Sequence, residues 1–259
     1  MPTSLPTVRI FAAHPACMAR AERIARQTGL PMTDSLESGQ LILRVDLSGL
    51  DLLLAGDPML GSGIRAEFVH GRTGYRIRMG RQEPLLRAAG LQHGSEQWVV
   101  DATGGLGRDG FLLASAGCRV DICERHPVVA MLLADGLERA LAVSETETIA
   151  RRLRLHREDA RSFLGRLALE EKQPDIIYLD PMFPPRKKSA LNKKELHLLQ
   201  RLLGSSDPGA DHLLGIALSC RSCRVVVKRP LRAPWLADRN PSWSIQGRTV
   251  RFDVYRGRP

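Results

Sequence analysis

An apolar run that ends in an acid, a proline and an aromatic residue is the stretch best suited to chemistry. Residues 176–179 (Ile-Ile-Tyr-Leu) are rich in β-branched and aromatic side chains, and Asp180, Pro181, Met182 and Phe183 follow them. This pattern predicts a short buried strand that Pro181 cannot continue. Asp180 is therefore expected at the carboxyl end of a strand, which is where ligands bind in open α/β sheets.

An Asp-Pro-x-aromatic sequence in that position suits the transfer of a methyl group to an amine of a nucleobase. Such an amine is a weak nucleophile because its lone pair is delocalised into the ring. The Asp180 carboxylate and the Pro181 carbonyl would accept from its N–H groups and orient it for attack, and Phe183 would stack on the base. The alternative is a turn that closes the strand and places a ring in the core.

A glycine-rich segment follows another predicted strand, which ends at Asp101. Gly105 and Gly107 precede a predicted helix, and this arrangement lets the backbone approach a ligand at the helix start. Glu124 follows the next strand and is suitably placed for ribose hydroxyls. Residues 105–110 also fit the dinucleotide fingerprint, so an NAD-dependent oxidoreductase is one alternative. The carboxylate of Asp101 would crowd a pyrophosphate but suits the amino group of S-adenosylmethionine (SAM), which favours SAM.

Other polar residues near predicted strand ends are candidates for an adenosine pocket. Arg125 and His126 could line it, although a residue before Pro127 is more typical of a helix start. Glu158 and Asp159 follow the next strand, where an acid could accept from an adenine amino group. For Asp159 the alternative is a helix N-cap.

A basic segment leaves the strand end at which the base is expected. It has no acidic residue before Glu195, and its cations are Arg186, Lys187, Lys188, Lys193 and Lys194. Its position favours contact with RNA phosphates, whereas charge runs in general are often solvated surface. Lys228 and Arg229, at the end of a later predicted strand, are either active-site cations or surface charges.

The composition limits the class of protein. The 259 residues carry a formal net charge of +10, which favours a polyanionic partner over the competing membrane surface. Without an apolar stretch of membrane-spanning length or signal-peptide features, the sequence predicts a cytoplasmic protein. Cys220 and Cys223 have the spacing of a metal or redox pair, but no second pair completes a zinc site, so no metal is predicted.

The order of predicted elements indicates an α/β protein in two parts. Residues 1–92 are expected to form a small N-terminal α+β domain, with residues 66–70 as one of its strands. Residues 93–259 are expected to form a Rossmann-like methyltransferase domain. The segment 243–255 predicts an antiparallel hairpin at the edge of the sheet.

Five blocks of the sequence, in order, resemble the RsmJ family, the bacterial small-subunit ribosomal RNA guanine methyltransferases. The blocks are residues 101–109 (DATGGLGRD), 124–137, 178–183 (YLDPMF), 187–191 (KKSAL) and 224–230 (RVVVKRP). Together they span the chain from residue 101 to residue 230, which makes the resemblance more specific than either motif alone.

The resemblance implies SAM-dependent methylation of the 2-amino group of one guanine, position 1516, in 16S rRNA. The partner would be 16S rRNA or the small ribosomal subunit, and no metal would be required. The implied cofactor-site residues are Arg108, Asp109, Glu124, Arg125, Glu158, Asp159 and Asp180. A non-catalytic RNA-binding protein is the second alternative.

Overall fold

The computed structural model describes residues 7–60, 62–69, 83–91, 94, 96–182, 193–204, 207–220 and 223–256. The chain divides into two compact units, and each is assembled from three segments. The first unit contains Met1–Ala66, His126–Arg139 and Met182–Asp207, and the second contains Glu67–Arg125, Ala140–Pro181 and Pro208–Pro259. The domain boundary expected near residue 92 stays a prediction.

The elements are numbered here in chain order. The strands are β1 (Val8–Ala12), β2 (Met32–Thr33), β3 (Leu41–Asp46), β4 (Gly49–Leu54), β5 (Trp98–Asp101), β6 (Arg119–Cys123), β7 (Leu153–His156), β8 (Ile176–Leu179), β9 (Arg224–Pro230), β10 (Trp243–Gln246) and β11 (Val250–Arg256). The helices are α1 (Met18–Thr28), α2 (Pro84–Ala89), α3 (Arg108–Ser115), α4 (Pro127–Leu141), α5 (Ser144–Ala150), α6 (Ala160–Leu169), α7 (Lys193–Leu203) and α8 (Ala210–Ser219).

The first unit is built on a four-stranded sheet with the order β2-β1-β3-β4. Strand β3 pairs in parallel with β1 and antiparallel with β4. Buried Asp135 of α4 accepts from Arg20 of α1 at 2.7 Å and from Arg139 at 3.0 Å, which ties the two helices together. A Cβ on Gly49 would lie 2.8 Å from the same carboxylate, so this position needs glycine.

The second unit contains a seven-stranded sheet with the order β10-β11-β9-β8-β5-β6-β7. Five neighbouring strands of this sheet are parallel: β9, β8, β5, β6 and β7. At one edge β11 pairs antiparallel with β9, and β10 pairs antiparallel with β11. This arrangement confirms the predicted Rossmann-like fold and the predicted edge hairpin. From β5 the chain continues outward to β6 and β7, and then crosses back to β8 on the other side of β5, which makes the gap between β5 and β8 the topological switch point.

Helices α6 and α8 cover one face of this sheet. Val100, Ile177 and Val225 of three neighbouring strands belong to one buried cluster with Phe163 of α6 and Leu214 of α8. These strands are apolar on both faces, as expected for parallel strands between layers of helices. Phe111 of α3 is also fully buried.

The structure corrects one predicted element. Residues 66–69 form no strand, and the last regular pairing before them is an isolated antiparallel bridge between Leu52 and Ile64.

Cys220 and Cys223 are free thiols. Among the residues described above, no helix has both the length and the apolar character needed to cross a membrane.

Candidate active site

The two acids singled out in the sequence lie at the ends of neighbouring parallel strands. Strands β5 and β8 pair with Val100 opposite Ile177 and with Asp101 opposite Tyr178. Asp180, the next residue but one after Tyr178, therefore follows the strand at the same edge of the sheet as Asp101. The site expected at this edge has the backbone geometry that the sequence predicts.

Thr103 connects these two strand ends. Its backbone N–H donates to Oδ1 of Asp101 at 3.1 Å, and its hydroxyl oxygen accepts from the backbone N–H of Asp180 at 2.6 Å. One short side chain thus fixes the position at which the Asp180 carboxylate leaves the sheet. Sequence reasoning missed Thr103, because the only signal was a hydroxyl two residues beyond a strand-end acid.

Asp101 lies in an environment that disfavours its charge. Only 1% of its surface is exposed. Burial, and then the repulsion from Asp109, Asp180 and Glu124, raise the pKa of Asp101 to about 8, although the hydrogen bond from Thr103 acts in the opposite direction. A cationic group bound beside Asp101 would stabilise the carboxylate, so the site favours a ligand with an ammonium group.

Gly104 of the glycine loop packs too closely on β6 to accept a side chain. The Gly104 N–H donates to the Cys123 carbonyl at 2.9 Å, and a Cβ on Gly104 would lie 2.5 Å from a methyl carbon of Ile122. Gly105 and Gly107 have φ values of 53° and 75°, a left-handed conformation that favours glycine. Gly107 is also the N-cap of α3.

Glu124 holds the same loop from the end of β6. Its Oε2 accepts from the backbone N–H of Gly105 at 2.8 Å, and the residue is 9% exposed. A buried acid, a close backbone turn and a helix start therefore converge at the switch point, which is the set of groups that a nucleoside cofactor with an amino-acid tail requires.

Lys228 joins Asp180 to the start of α3. Its Nζ lies 2.7 Å from Oδ2 of Asp180 and 2.8 Å from Oδ2 of Asp109, and Asp109 also accepts from the Tyr178 hydroxyl at 2.6 Å. Burial lowers the pKa of Lys228, but the two carboxylates together outweigh this and raise it above the ordinary value. Of the two possibilities that the sequence left open, the structure places Lys228 in the site.

Arg229 lies in a different environment from its neighbour on β9. It is only 5% exposed, and its guanidinium donates to the Pro234 carbonyl at 3.1 Å and 2.5 Å. It is therefore a buried group and not a surface charge.

The acids after β7 make contacts with arginines. Asp159 is the N-cap of α6, where it accepts from the Arg161 N–H at 2.8 Å. Hydrogen bonds from Arg161, both side-chain and backbone, lower the pKa of Asp159 to about 2. Glu158 pairs with Arg166 at 2.7 Å, and Arg125 lies 3.5 Å from Asp159. The expected cap is present, and the cofactor roles of these residues stay predictions.

For the remaining predicted site residues the structure gives mainly a position in the fold. Pro181 is buried and directly follows Asp180, and Arg108 is the first residue of α3. Lys194, in the first turn of α7, donates to the Ser62 hydroxyl. Four of the predicted residues lie outside the described part of the chain: Phe183, Arg186, Lys187 and Lys188. For Lys193, only the backbone, in α7, is described.

Comparison with known proteins agrees with the geometry of the second unit. The profile of the SAM_MT family, described as SAM-dependent methyltransferases, matches residues 23–257. The chain is 48% identical over 238 residues to "Ribosomal RNA small subunit methyltransferase J" of Thioalkalivibrio sulfidiphilus, an alignment that covers 91% of this chain and 92% of that protein. The protein of the same name from Nitrosococcus oceani is 44% identical over the same shares of the two chains.

A solved structure gives the same result for the fold. The crystal structure of a SAM-dependent methyltransferase from Neisseria gonorrhoeae superposes with a TM-score of 0.74 at 32% identity and covers 96% of this chain and 95% of that one. The cofactor is therefore SAM, and the NAD-dependent alternative is set aside. The chain belongs to the ribosomal RNA small subunit methyltransferase J family of SAM-dependent methyltransferases.

Proposed function

We propose that the protein transfers a methyl group from SAM to the 2-amino group of a guanine in 16S rRNA, at position 1516 as the family resemblance implies. Relatives that are 44–48% identical over 91% of the chain carry the name of a small-subunit ribosomal RNA methyltransferase, which supports the class of substrate. This substrate also places the activity in the cytoplasm, where ribosomes are assembled.

The observation that carries the proposal is the link between Asp101 and Asp180 through Thr103. A pocket for the cofactor and a hydrogen-bond acceptor for the reacting amine must lie side by side for a direct transfer, because the donor and acceptor atoms have to meet in line. The pairing of β5 with β8 and the two hydrogen bonds of Thr103 support such an arrangement.

The residues of the chain then have distinct roles. SAM supplies a methyl group made electrophilic by the sulfonium to which it is bonded. The Asp180 carboxylate and the Pro181 carbonyl accept from the amine N–H groups and direct the nitrogen lone pair, and Phe183 stacks on the base. As the new N–C bond forms, the C–S bond to the methyl group would break with its electron pair left on sulfur, and the amine would lose a proton, for which Asp180 is the nearest proposed acceptor.

We assign the cofactor to the groups around the glycine loop. Asp101 would hold the amino group, the backbone at Gly105 and Gly107 would approach the cofactor closely, and Glu124 would bind the ribose hydroxyls. The other proposed cofactor residues are Arg108, Asp109, Arg125, Glu158, Asp159 and Asp180. The proposed RNA-binding residues are Arg186, Lys187, Lys188, Lys193 and Lys194.

The test measures transfer of tritiated methyl from SAM to unmethylated small ribosomal subunits and to protein-free 16S rRNA. Asp180→Ala should lower the transfer rate at least a hundredfold while SAM binding, measured by calorimetry, is partly retained. The control is Glu22→Ala, because Glu22 is an exposed acid in the middle of α1. Undiminished transfer by Asp180→Ala would refute the proposal, as would an absence of transfer by the wild-type protein to either substrate.

A further inference from the structure

The loop after β9 displays a large apolar ring to solvent. Trp235 leaves 45% of its surface exposed, and Leu231 leaves 38%. Arg232 lies between them in the sequence and is also exposed. Exposed tryptophan combined with arginine is a combination that proteins use at binding surfaces.

Two buried arginines fix the backbone of this loop from behind. Arg229 donates to the Pro234 carbonyl at 3.1 Å and 2.5 Å, and Arg251 donates to the Leu231 carbonyl at 2.8 Å. Both arginines are less than a tenth exposed. Arg251 is itself held by a bidentate ion pair with buried Asp253, at 2.8 Å and 3.0 Å, so the group that anchors the loop has a fixed position.

The other side of Trp235 is equally constrained. Leu236 is buried in the core beside α8, and the Ala237 N–H donates to Asp211 of α8 at 3.0 Å. Ala237 and Asp238 adopt positive φ angles of 52° and 50°, a conformation that non-glycine residues keep only where the surroundings compensate for it. The exposed ring is therefore held on a rigid support, which lowers the entropy lost on binding.

The position and charge of the loop indicate its partner. The loop leaves the carboxyl end of β9, and Lys228 on the same strand contacts Asp180 directly. Residues 228–240 contain one acid, Asp238, and four cations, which are Lys228, Arg229, Arg232 and Arg239. A flat aromatic surface within a positive segment beside the acceptor site is complementary to unpaired nucleotides, which combine a flat base with a negative phosphate.

We propose that Trp235 and Arg232 form a second RNA-contact surface of the enzyme, at which an unpaired nucleotide close to the target guanine stacks on the ring and pairs its phosphate with the guanidinium. This inference rests on the proposed function and adds a contact on the β9 side of the site, separate from the basic segment that follows β8. The surface positions the substrate and takes no part in the chemical step.

The experiment measures KM for unmethylated small ribosomal subunits, kcat, and the Kd of SAM. Trp235→Ala should raise KM about tenfold or more, with kcat within twofold and the Kd of SAM unchanged, because base stacking is lost. Trp235→Phe should restore most of the affinity because it keeps a flat ring. The matched control is Leu169→Ala. Leu169 is an exposed apolar residue at the end of α6, and the chain continues from it to the start of β8, at the opposite edge of the sheet from Asp180. The loss of this side chain should leave KM unchanged.

Arg232→Ala provides a second, independent readout. It should reduce the slope of log(kcat/KM) against log salt concentration by about one, because one phosphate contact is removed. A KM for Trp235→Ala equal to that of the wild type, or an unchanged salt slope for Arg232→Ala, would refute the proposed RNA-contact surface while leaving the methyltransferase proposal intact. A wild-type protein that methylates neither subunits nor rRNA would instead overturn the proposed function.

Discussion

At the scale of single residues, the buried acid Asp101 links the stability of the protein to pH. Its pKa is about 8 in the folded chain against an ordinary value of 3.8, so the folded state binds a proton that the unfolded state has released. Stability contributed by this group is therefore present at low pH and is lost as pH rises from about 4 to about 8. Asp101→Asn removes this dependence while keeping an oxygen for the Thr103 N–H.

The variant should accordingly become more stable than the wild type as pH rises. From pH 5 to pH 8 the difference in the free energy of unfolding should grow by about 4 kcal/mol in favour of Asp101→Asn, and then stay constant to pH 9. Urea unfolding of both proteins at these pH values measures it. A difference that does not change with pH would mean that Asp101 ionises normally in the folded protein.

Lys228 carries a separate prediction about the acceptor carboxylate. Lys228→Met leaves Asp109 and Asp180 without the cation that lies within 2.8 Å of both, so their mutual repulsion makes ionisation less favourable. We expect kcat to fall at least tenfold, the acidic limb of the pH–rate profile to move to higher pH, and the free energy of unfolding to fall by about 3 kcal/mol. Lys228→Arg should restore the pH profile.

A purely structural role for Lys228 would give a different result. Stability would then fall while kcat and its pH profile, measured on the folded fraction at low temperature, stayed as in the wild type. The pH profile is thus the measurement that distinguishes positioning of Asp180 from simple packing.

Sequence reasoning found the acids at this site and not the contacts between them. Asp101 and Asp180 each end an apolar run, and the carboxyl ends of parallel strands share an edge, so local pattern was sufficient to bring them together. The contact from Lys228 to Asp109 spans 119 residues, and Thr103 acts through one hydroxyl. Such pairings depend on strand order and side-chain direction, which periodicity does not encode.

At the scale of elements, the turn from β5 to α3 depends on the missing side chain of Gly104. In Gly104→Ala the new Cβ would lie 2.5 Å from Ile122 and 3.0 Å from the Cys123 carbonyl, so the loop must move away from β6. We expect the Kd of SAM to rise at least tenfold and the free energy of unfolding to fall by about 1–3 kcal/mol. Calorimetry and urea unfolding measure the two effects.

Gly165→Ala is the matched control for this substitution. Gly165 lies within α6, and a Cβ there would meet nothing within 4 Å. It should leave SAM binding unchanged and stabilise the protein by about 0.5–1 kcal/mol, because alanine favours the helix. Equal SAM affinity in the two variants would show that the close packing of the loop on β6 is not needed for the cofactor.

Elements with a strong hydrophobic pattern were predictable, and one with a weak pattern was not. Strands β5, β6, β8 and β9 follow from runs of β-branched residues bounded by glycine, proline or acids. Residues 66–70 (Ala-Glu-Phe-Val-His) have a weaker pattern with one β-branched residue, and the described residues 66–69 form no strand. Strand formation requires a paired edge, and in the described residues the outer edge of β4 makes only the isolated bridge from Leu52 to Ile64.

At the scale of the whole molecule, the chain is organised by long-range contacts that the sequence does not reveal. Residues 126–139 group with the N-terminal unit, where Asp135 pairs with Arg20 across 115 positions of sequence. The Rossmann-like fold was nonetheless predictable, because the alternation of strands and helices after residue 93 permits few topologies.

The central claim concerns one amine in 16S rRNA, and it is tested by mapping the methylated nucleotide in cells that lack this protein. We predict that the 2-amino group of guanine 1516 is then unmethylated, that the wild-type protein restores the methyl group, and that Asp180→Ala does not. Methylation of this guanine that persists without the protein would contradict the account.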